Sequence, residues 1–247
     1  MKLSKIFGLH AVQSALHYSP DKITQAWIDG QRQDQRLARA IADLEALGIR
    51  PEKTERKKLD RFAEGGQHQG IVVEVEMPGE LPEHDLKTAV ENLTAPALFL
   101  VLDHVQDPHN FGACLRTADA TGVHGVIVTK DNAASITPTV CKVASGAAET
   151  VPVYQVTNLA RTLRWLKEQG IWVFGAAGDT AQSAYQSDFS VPMALVVGAE
   201  GKGLRRLTQE ACDMLVSLPM RGSVESLNLS VATGVLLYEV LRQRTTA

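Results

Sequence analysis

From residue 97 onward, short apolar runs alternate with segments of helical periodicity, and this alternation limits the possible folds more than any other feature. The apolar runs predict strands at residues 97–102, 125–129, 171–176, 193–198 and 214–218. Helices are predicted at residues 112–121, 138–147, 158–169, 203–211 and 228–243. Apolar strands that alternate with helices are typical of a parallel sheet covered on both faces, so we predict an α/β fold.

A smaller α/β unit is predicted before residue 77. Its pattern indicates helices at residues 8–18, 33–47 and 57–63 and strands at residues 23–28 and 69–76. Residues 77–96 contain prolines, a glycine and acidic residues, which are typical of a semi-rigid linker, and a short helix is predicted at 86–93. We therefore predict two domains, residues 1–76 and 97–247, joined by a linker at residues 77–96.

The composition is that of an ordinary globular protein. Of the 247 residues, 45% are hydrophobic and 21% are charged, and the net charge is −3. No apolar run approaches the roughly 20 residues that a membrane-spanning helix needs, and no signal peptide is apparent. The three cysteines are scattered and form no Cys-x-x-Cys pair. We therefore expect a cytoplasmic protein with reduced thiols, no membrane association and no metal site.

A polar segment at residues 103–116 directly follows the apolar strand at 97–102. Open α/β sheets bind ligands at the carboxyl ends of their strands, which is where this segment is expected to lie. Asn110 could cap the next helix or bind a ligand as both donor and acceptor. Arg116, on the first or second turn of that helix, could reach over the loop. A capped loop with a solvated arginine is the alternative.

Two further polar loops are predicted at strand ends. GAEGKG at residues 198–203 lacks the spacing of a phosphate-binding P-loop and of a dinucleotide-binding fingerprint. Its glycines would let the backbone approach a ligand beside Glu200, and the alternative is a helix-start turn in which Glu200 favours the helix dipole. Ser226 and Asn228 open the final helix, where capping is the alternative to ligand binding.

The basic residues of the N-terminal unit are clustered, although residues 1–76 hold 12 Lys or Arg against 11 Asp or Glu. Arg32, Arg36 and Arg39 have the i, i+4, i+7 spacing of one helix face. Arg56, Lys57 and Lys58 form a second cluster. A solvated helix face is the alternative to a modest phosphate-contacting surface.

Taken together, the polar loops resemble the motifs of the SpoU (TrmH) family of RNA ribose 2′-O-methyltransferases. DPHNFGACLRTA at residues 107–118 is similar to motif 1, VGAEGKG at 197–203 to motif 2 and SLNLSVA at 226–232 to motif 3. The resemblance spans the chain. FGLHAV at 7–12, HQGI at 68–71 and GAAETVP at 146–152 are similar to the bacterial members that methylate a guanosine of 23S rRNA in the peptidyl-transferase P-loop.

This resemblance implies a SPOUT α/β fold with a C-terminal trefoil knot, preceded by a small L30e-like domain that binds RNA. It implies a homodimer with active sites at the interface, and 23S rRNA or a precursor of the large ribosomal subunit as substrate. The methyl donor would be S-adenosylmethionine, and no metal would be needed. The residues expected to bind this donor are Ala176, Gly198, Gly203, Leu218 and Leu227.

The same resemblance implies roles for five polar residues. Arg116 is expected to act on the 2′-hydroxyl. The pKa of an arginine side chain lies above about 12, so arginine keeps its proton near neutral pH. We therefore expect a charged Arg116 that stabilises the developing alkoxide. Asn110 would hold Arg116 or the ribose, and Glu200 would orient Arg116 or bind the ligand. Ser226 and Asn228 would position the substrate and the methyl donor's loop.

Other interpretations of the sequence lead to different activities. A tRNA guanosine 2′-O-methyltransferase would share the chemistry but not the RNA. A catalytically silent RNA-binding factor in ribosome assembly would share the fold alone. A dinucleotide-binding dehydrogenase is excluded because its glycine fingerprint is missing. His109 is not expected to be a general base, since the family motif does not require histidine there.

Overall fold

The computed structural model describes residues 2–32, 34–178 and 180–246. The chain forms two compact units. The first contains the residues up to Gly79 together with Ile136–Glu149, and the second contains Glu80–Ser135 and the chain from Thr150 onward. Because residues 136–149 cluster with the N-terminal part, each unit contains more than one stretch of the chain. The domain limits drawn from the sequence stay a prediction.

The elements up to Gly79 are β1 (Lys2–Phe7), α1 (Leu9–Tyr18), a 3₁₀ turn (Pro20–Lys22), β2 (Ile23–Asp29), α2 (Gln35–Ala46), β3 (Glu52–Thr54), α3 (Arg56–Phe62) and β4 (Ile71–Met77). Those from residue 80 to residue 150 are β5 (Leu81–Pro82), α4 (Glu83–Glu91), β6 (Leu98–Asp103), α5 (Pro108–Ala120), β7 (Gly125–Thr129), α6 (Pro138–Ala144) and α7 (Ala147–Thr150). The remaining elements are β8 (Val153–Val156), α8 (Leu159–Glu168), β9 (Trp172–Ala176), a 3₁₀ turn (Ala184–Gln186), β10 (Met193–Gly198), α9 (Arg206–Ala211), β11 (Met214–Val216) and α10 (Leu229–Thr246).

The first unit has a four-stranded sheet in the order β1-β4-β2-β3. β4 is antiparallel to both β1 and β2, whereas β3 is parallel to β2. A small aromatic cluster packs on this sheet around Trp27, Leu59 and Val72, with Phe7 and Phe62 against it. Helix α6, which comes from the later part of the chain, contacts β1.

The HQGI segment before β4 has a structural explanation. The side-chain Oε1 of Gln69 accepts a hydrogen bond of 3.0 Å from the backbone N–H of Leu9, the first residue of α1. The Nδ1 atom of His68 accepts from the backbone N–H of Gly70, so its Nε2 carries the proton and donates to Asp60 at 3.0 Å. These contacts join the start of β4 to α1 and α3.

The second unit has a seven-stranded sheet in the order β11-β9-β10-β6-β7-β8-β5, in which all neighbouring strands are parallel. Its central strands are buried on both faces, as their continuous apolar sequences predict; all six residues of β6 and of β10 are buried. The alternation of strands and helices therefore produces the α/β fold expected from the sequence.

The end of the last helix is held in place by Arg244. Its guanidinium group donates to four backbone carbonyls, those of Phe189, Pro96, Ala97 and Val191, at distances of 2.6–3.2 Å. Nearby, the Glu239 carboxylate accepts from Arg242 and Gln243, and these hydrogen bonds hold its pKa at about 2.

Four short strands differ from the sequence-based assignment, which did not predict β1, β3, β5 and β8. β1 and β3 are edge strands of the first sheet, and β5 has only two residues at the edge of the second. The segment predicted as a linker contains β5 and α4, and Leu86 of α4 is fully buried in the core of the second unit. Isolated apolar residues in short elements do not produce a periodic pattern, which explains these differences.

Candidate active site

The polar loops meet at one edge of the second sheet. β6, β9, β10 and β11 are parallel neighbours, so their carboxyl ends share this edge. The last residue of β10, Gly198, lies in register with Asp103, the last residue of β6. Similarly, Ala176 at the end of β9 lies in register with Val216 at the end of β11. Ligands of open α/β folds bind at such an edge.

The first loop is shorter than the sequence pattern suggests, because α5 begins at Pro108 rather than at Gly112. Asp107 caps this helix by accepting a hydrogen bond of 3.0 Å from the backbone N–H of His109, and Pro108 suits the first helical position. Of the two alternatives for Asn110, a helix cap or a ligand-binding residue, the capping alternative is therefore wrong. Asn110 lies in the first turn and is 7% exposed, and Arg116 lies on the third turn.

Asn110, Glu200 and Asn228 come together from the three loops, and we call them the amide–carboxylate cluster. Glu200 Oε1 accepts from Asn110 Nδ2 at 2.8 Å and from Asn228 Nδ2 at 2.7 Å. Asn228 Nδ2 also lies 3.1 Å from Asn110 Oδ1. The three side chains are 90, 28 and 118 residues apart along the chain. Residues this distant in sequence form one hydrogen-bonded group at the sheet edge.

Asn228 also caps the last helix. Asn228 lies just before α10, and its Oδ1 accepts from the backbone N–H of Ser230 at 2.9 Å and from the Ser230 hydroxyl at 2.7 Å. Of the two interpretations drawn from the sequence, capping is confirmed for this residue, and its participation in ligand binding stays a prediction. Ser226 lies two residues earlier and is exposed, as is Arg116 on α5.

The loop that carries Glu200 is tightly closed. The backbone N–H of Gly203 donates to the carbonyl of Ala199 at 2.9 Å, and Gly203 has a φ of 62°. A Cβ atom at Gly198 would lie only 2.1 Å from the carbonyl carbon of Gly203, so no larger residue fits there. This close approach explains why the segment begins and ends with glycine.

Two further residues of the site, Asp103 and Arg205, are not apparent from sequence motifs. The Asp103 carboxylate is completely buried and accepts hydrogen bonds from the Arg205 backbone N–H at 3.0 Å and from its Nε at 2.8 Å, and Nη2 of the same guanidinium group forms an ion pair with it at 2.8 Å. The only sequence signal is an acidic residue at the end of a buried strand. The next residue, His104, has a φ of 60°, and partial burial together with the Arg205 charge lowers its pKa.

Comparison with known proteins identifies the family. Residues 97–238 match the model of the SpoU rRNA methylase family, and residues 5–81 match that of the RNA 2′-O ribose methyltransferase substrate-binding domain. The chain belongs to the SpoU methylase family.

Relatives of this SpoU protein share most of its length. A 23S rRNA (guanosine-2′-O-)-methyltransferase RlmB from Shewanella oneidensis is 54% identical over 97% of each chain. The SpoU methyltransferase AviRb from Streptomyces viridochromogenes, solved in complex with AdoMet, is 26% identical with a TM-score of 0.75, over 98% of this chain and 91% of its own. A TrmH/SpoU tRNA modifying enzyme from A. aeolicus is 31% identical with a TM-score of 0.57, over 66% of this chain and 84% of its own. These neighbours confirm the SPOUT-class α/β fold.

The residues expected to bind the methyl donor lie around the edge at which the SpoU motifs meet. Ala176 and Gly198 end adjacent strands, and Gly203 lies in the Glu200 loop. Leu218 is half-buried after β11, and Leu227 is 37% exposed before α10.

The loop after β9 lies along the end of β11 at this edge. The hydroxyl of Ser217 donates to the carbonyls of Thr180 and Gln182, and the backbone N–H of Ala184 donates to the carbonyl of Ser217. A Cβ atom at Gly178 would be 3.9 Å from the carbonyl oxygen of Glu225. The segments after β9 and β11 thus lie close together.

The residues expected to bind RNA lie in the first unit. Arg36 and Arg39 are exposed on α2, but Arg32 precedes this helix and pairs with Asp34, so the proposed three-residue helix face is wrong for Arg32. Helix α3 begins with Arg56, Lys57 and Lys58. A concave surface, which we call the basic concavity, is lined by Lys53, Thr54, Glu55, Lys57, Lys58 and Arg61.

Other reactive groups have structural roles. Burial raises the pKa of the Cys114 thiol to about 11 and the pKa values of Cys141 and Cys212 to about 12, so these thiols are protonated near neutral pH and suit packing rather than catalysis. Within the described part of the chain, no group of three His, Cys, Asp or Glu side chains is arranged to hold a metal ion. Among the same residues, no helix has both the length and the apolar character needed to span a bilayer.

Proposed function

We propose that this protein transfers a methyl group from S-adenosylmethionine to the ribose 2′-hydroxyl of a guanosine in 23S rRNA. The observation that carries this proposal is the amide–carboxylate cluster, which unites all three SpoU motifs at the carboxyl edge of the sheet. The near full-length similarity to a 23S rRNA guanosine methyltransferase supports the choice of RNA.

The residues around the cluster fit S-adenosylmethionine. Leu218 and Leu227 are partly exposed and offer apolar surface to an adenosine, and the closed backbone around Gly198 and Gly203 suits a ligand bound through main-chain groups. Ala176 would complete this set at the end of β9. When bound, S-adenosylmethionine supplies a methyl group that is already activated by the positive charge of the sulfonium sulfur.

The protein's own residues then have two tasks in the reaction. They must align the 2′-hydroxyl oxygen with the methyl carbon, and they must stabilise the negative charge that develops as the hydroxyl loses its proton. We assign the second task to Arg116, which remains charged and can stabilise an alkoxide or the neighbouring phosphate. The hydroxyl proton passes to solvent or to an RNA phosphate.

The remaining polar residues would position these groups. Asn110 and Asn228 donate to the same oxygen of Glu200, so the other carboxylate oxygen can accept a hydrogen bond from the ribose or from Arg116. Ser226, exposed immediately before Asn228, would contact the substrate. In this arrangement Asn110 orients Glu200 rather than binding the ribose directly.

We further propose that the enzyme is a homodimer in the cytoplasm, with a precursor of the large ribosomal subunit as its natural substrate. Val231 and Tyr238 lie seven residues apart on α10, and both are more than half exposed. This spacing places two large apolar side chains on one helix face, which suits an interface between subunits. The basic concavity, together with Arg36 and Arg39, would contact RNA phosphates.

A tRNA substrate is the main alternative. The tRNA modifying enzyme from A. aeolicus aligns with only 66% of this chain, whereas residues 5–81 match a substrate-binding domain of RNA 2′-O ribose methyltransferases. This additional domain favours ribosomal RNA. A catalytically silent RNA-binding factor is disfavoured because the polar residues of the three motifs are all present.

A methyl-transfer assay tests the proposal. Purified protein is incubated with labelled S-adenosylmethionine and 23S rRNA from cells that lack the modification, and the product is mapped by resistance to alkaline cleavage. We expect one resistant guanosine in the peptidyl-transferase P-loop and none with Arg116→Ala. Label on tRNA alone would contradict the proposal. If label is absent from free rRNA but present on immature large subunits, the particle is the substrate. Label on neither RNA nor particle would refute enzymatic activity.

A further inference from the structure

Asp103 lies beside both ends of the loop that carries Glu200, through its backbone at one end and its buried carboxylate at the other. At one end of the loop, Gly198 is paired in register with Asp103 on the neighbouring strand. At the other end, the backbone N–H and Nε of Arg205 each donate a hydrogen bond to the Asp103 carboxylate, and Nη2 forms an ion pair with it. The loop therefore leaves β10 beside Asp103 at Gly198 and returns to the same residue at Arg205, seven positions later.

The contact differs from an ordinary surface ion pair because one of its partners is fully buried. The Asp103 side chain is 0% exposed, so its charge depends on these donors for compensation. Two guanidinium nitrogens share its Oδ1, and the backbone N–H of Arg205 takes its Oδ2. A lysine could supply one charged donor but not the two adjacent nitrogens of the guanidinium group.

The loop between these two anchors is closed by the hydrogen bond from Gly203 to Ala199, and Leu204, just before Arg205, is buried in the core. Within the loop, Gly201 and Gly203 both have positive φ values. Glycines leave a loop conformationally free unless its ends are held. The position of Glu200 relative to the amides of Asn110 and Asn228 thus depends on where Arg205 anchors the loop.

We propose that Arg205 is a positioning residue of the methyl-transfer reaction, which acts through Asp103 to hold Glu200 against Asn110 and Asn228. This inference rests on the proposed function and adds to it a residue outside the polar SpoU motifs. In this role Arg205 acts without contacting the reacting oxygen or the methyl donor. Its removal lowers the rate of methyl transfer by a larger factor than it lowers the affinity for S-adenosylmethionine, because the hydrogen bond that closes the loop between Gly203 and Ala199 is retained.

The test uses Arg205→Met and Arg205→Lys in the full-length protein, with Arg206→Met as the matched control. Arg206 is the adjacent arginine, but it pairs with Glu210 on the surface of α9. We expect Arg205→Met to lower kcat at least tenfold, Arg205→Lys to recover part of this loss, and Arg206→Met to behave as wild type. Calorimetric binding of S-adenosylmethionine checks that the variants are folded and bind with unchanged stoichiometry.

A double-mutant cycle with Glu200→Ala separates positioning from a general loss of structure. Rates are measured under single-turnover conditions with enzyme in excess, so that slow variants remain measurable. If Arg205 acts through Glu200, Arg205→Met has at most a twofold effect in the Glu200→Ala background. Additive losses, or a wild-type rate for Arg205→Met, overturn the inference. If Arg205→Met does not fold, the cycle is run with Arg205→Lys. Wild-type protein that methylates no RNA refutes the proposed function instead.

Discussion

The side chain of Asn228 has two roles that substitution can separate. Its Oδ1 caps α10 through the N–H and hydroxyl of Ser230, whereas its Nδ2 donates to Glu200 and Asn110 within the amide–carboxylate cluster. Serine at position 228 keeps an oxygen able to cap the helix but has no amide to reach Glu200. Alanine lacks both groups. Comparison of Asn228→Ser with Asn228→Ala therefore separates the effect of the cap on helix stability from the effect of the amide on the organisation of the site.

The expected magnitudes follow from these contacts. Loss of a helix cap costs about 1 kcal/mol, and in a protein of this size that lowers the unfolding temperature by roughly 2–4 °C. Only Asn228→Ala should show this decrease, in addition to whatever stability both variants lose with the hydrogen bond to Glu200. The hydrogen bond from Asn228 to the Glu200 carboxylate is worth about 1.5–3 kcal/mol. Because ~1.4 kcal/mol corresponds to a tenfold change in rate, both variants should transfer methyl groups roughly ten- to a hundredfold more slowly.

Thermal unfolding and single-turnover transfer of labelled methyl groups to rRNA measure the two effects. Asn158→Ala is the matched control, since Asn158 caps α8 through the N–H of Arg161 at 3.1 Å and lies outside the cluster. It should lose a similar amount of stability with no change in rate. A wild-type rate for Asn228→Ser would refute the role of the amide. Equal destabilisation of the two Asn228 variants would refute the role of the cap.

Three further variants test other parts of the structure. Arg244→Met leaves four backbone carbonyls without their charged donor, so we expect a loss of about 2–3 kcal/mol in the free energy of unfolding, measured by denaturant titration. Glu239 has a pKa of about 2, below its ordinary value of 4.5; its ion pair with Arg242 stabilises the fold above pH 4.5, and this stability is lost as the pH falls towards 2. Glu239→Gln should therefore flatten the decrease in unfolding temperature between pH 5 and 3, and an unchanged acid profile would contradict this. Combined Lys57→Ala and Arg61→Ala should weaken rRNA binding and reduce the slope of log affinity against log salt by about 1–2, whereas an unchanged slope would show that neither residue contacts phosphate.

The central sheet could be predicted from the sequence because its strands are buried on both faces. β6, β7 and β10 consist entirely of buried residues, and such strands appear as continuous apolar runs. β1 could not be recognised in this way. It lies at a sheet edge, where Lys5 pairs with Glu74 of the neighbouring strand, so polar residues interrupt its apolar pattern.

The candidate site could be predicted only where resemblance to a family adds to the pattern of residues. Asn110, Glu200 and Asn228 follow from the motifs, although the hydrogen bonds that join them do not. Asp103 and Arg205 could not be predicted, because the contact between residues 102 positions apart depends on the register of β10 against β6. Sequence spacing contains no information about that register.

The hydrogen bonds of the cluster explain why its three motifs should act as one unit. Asn110 Nδ2 donates to Glu200 and its Oδ1 accepts from Asn228, which itself donates to Glu200. Each side chain is therefore bonded to the other two, and removal of any one breaks two of the three hydrogen bonds of the cluster. Since Asn228 also begins α10, the start of the last helix and the orientation of Glu200 depend on the same residue. A cluster built in this way loses most of its organisation with the first substitution, so later substitutions within it add little.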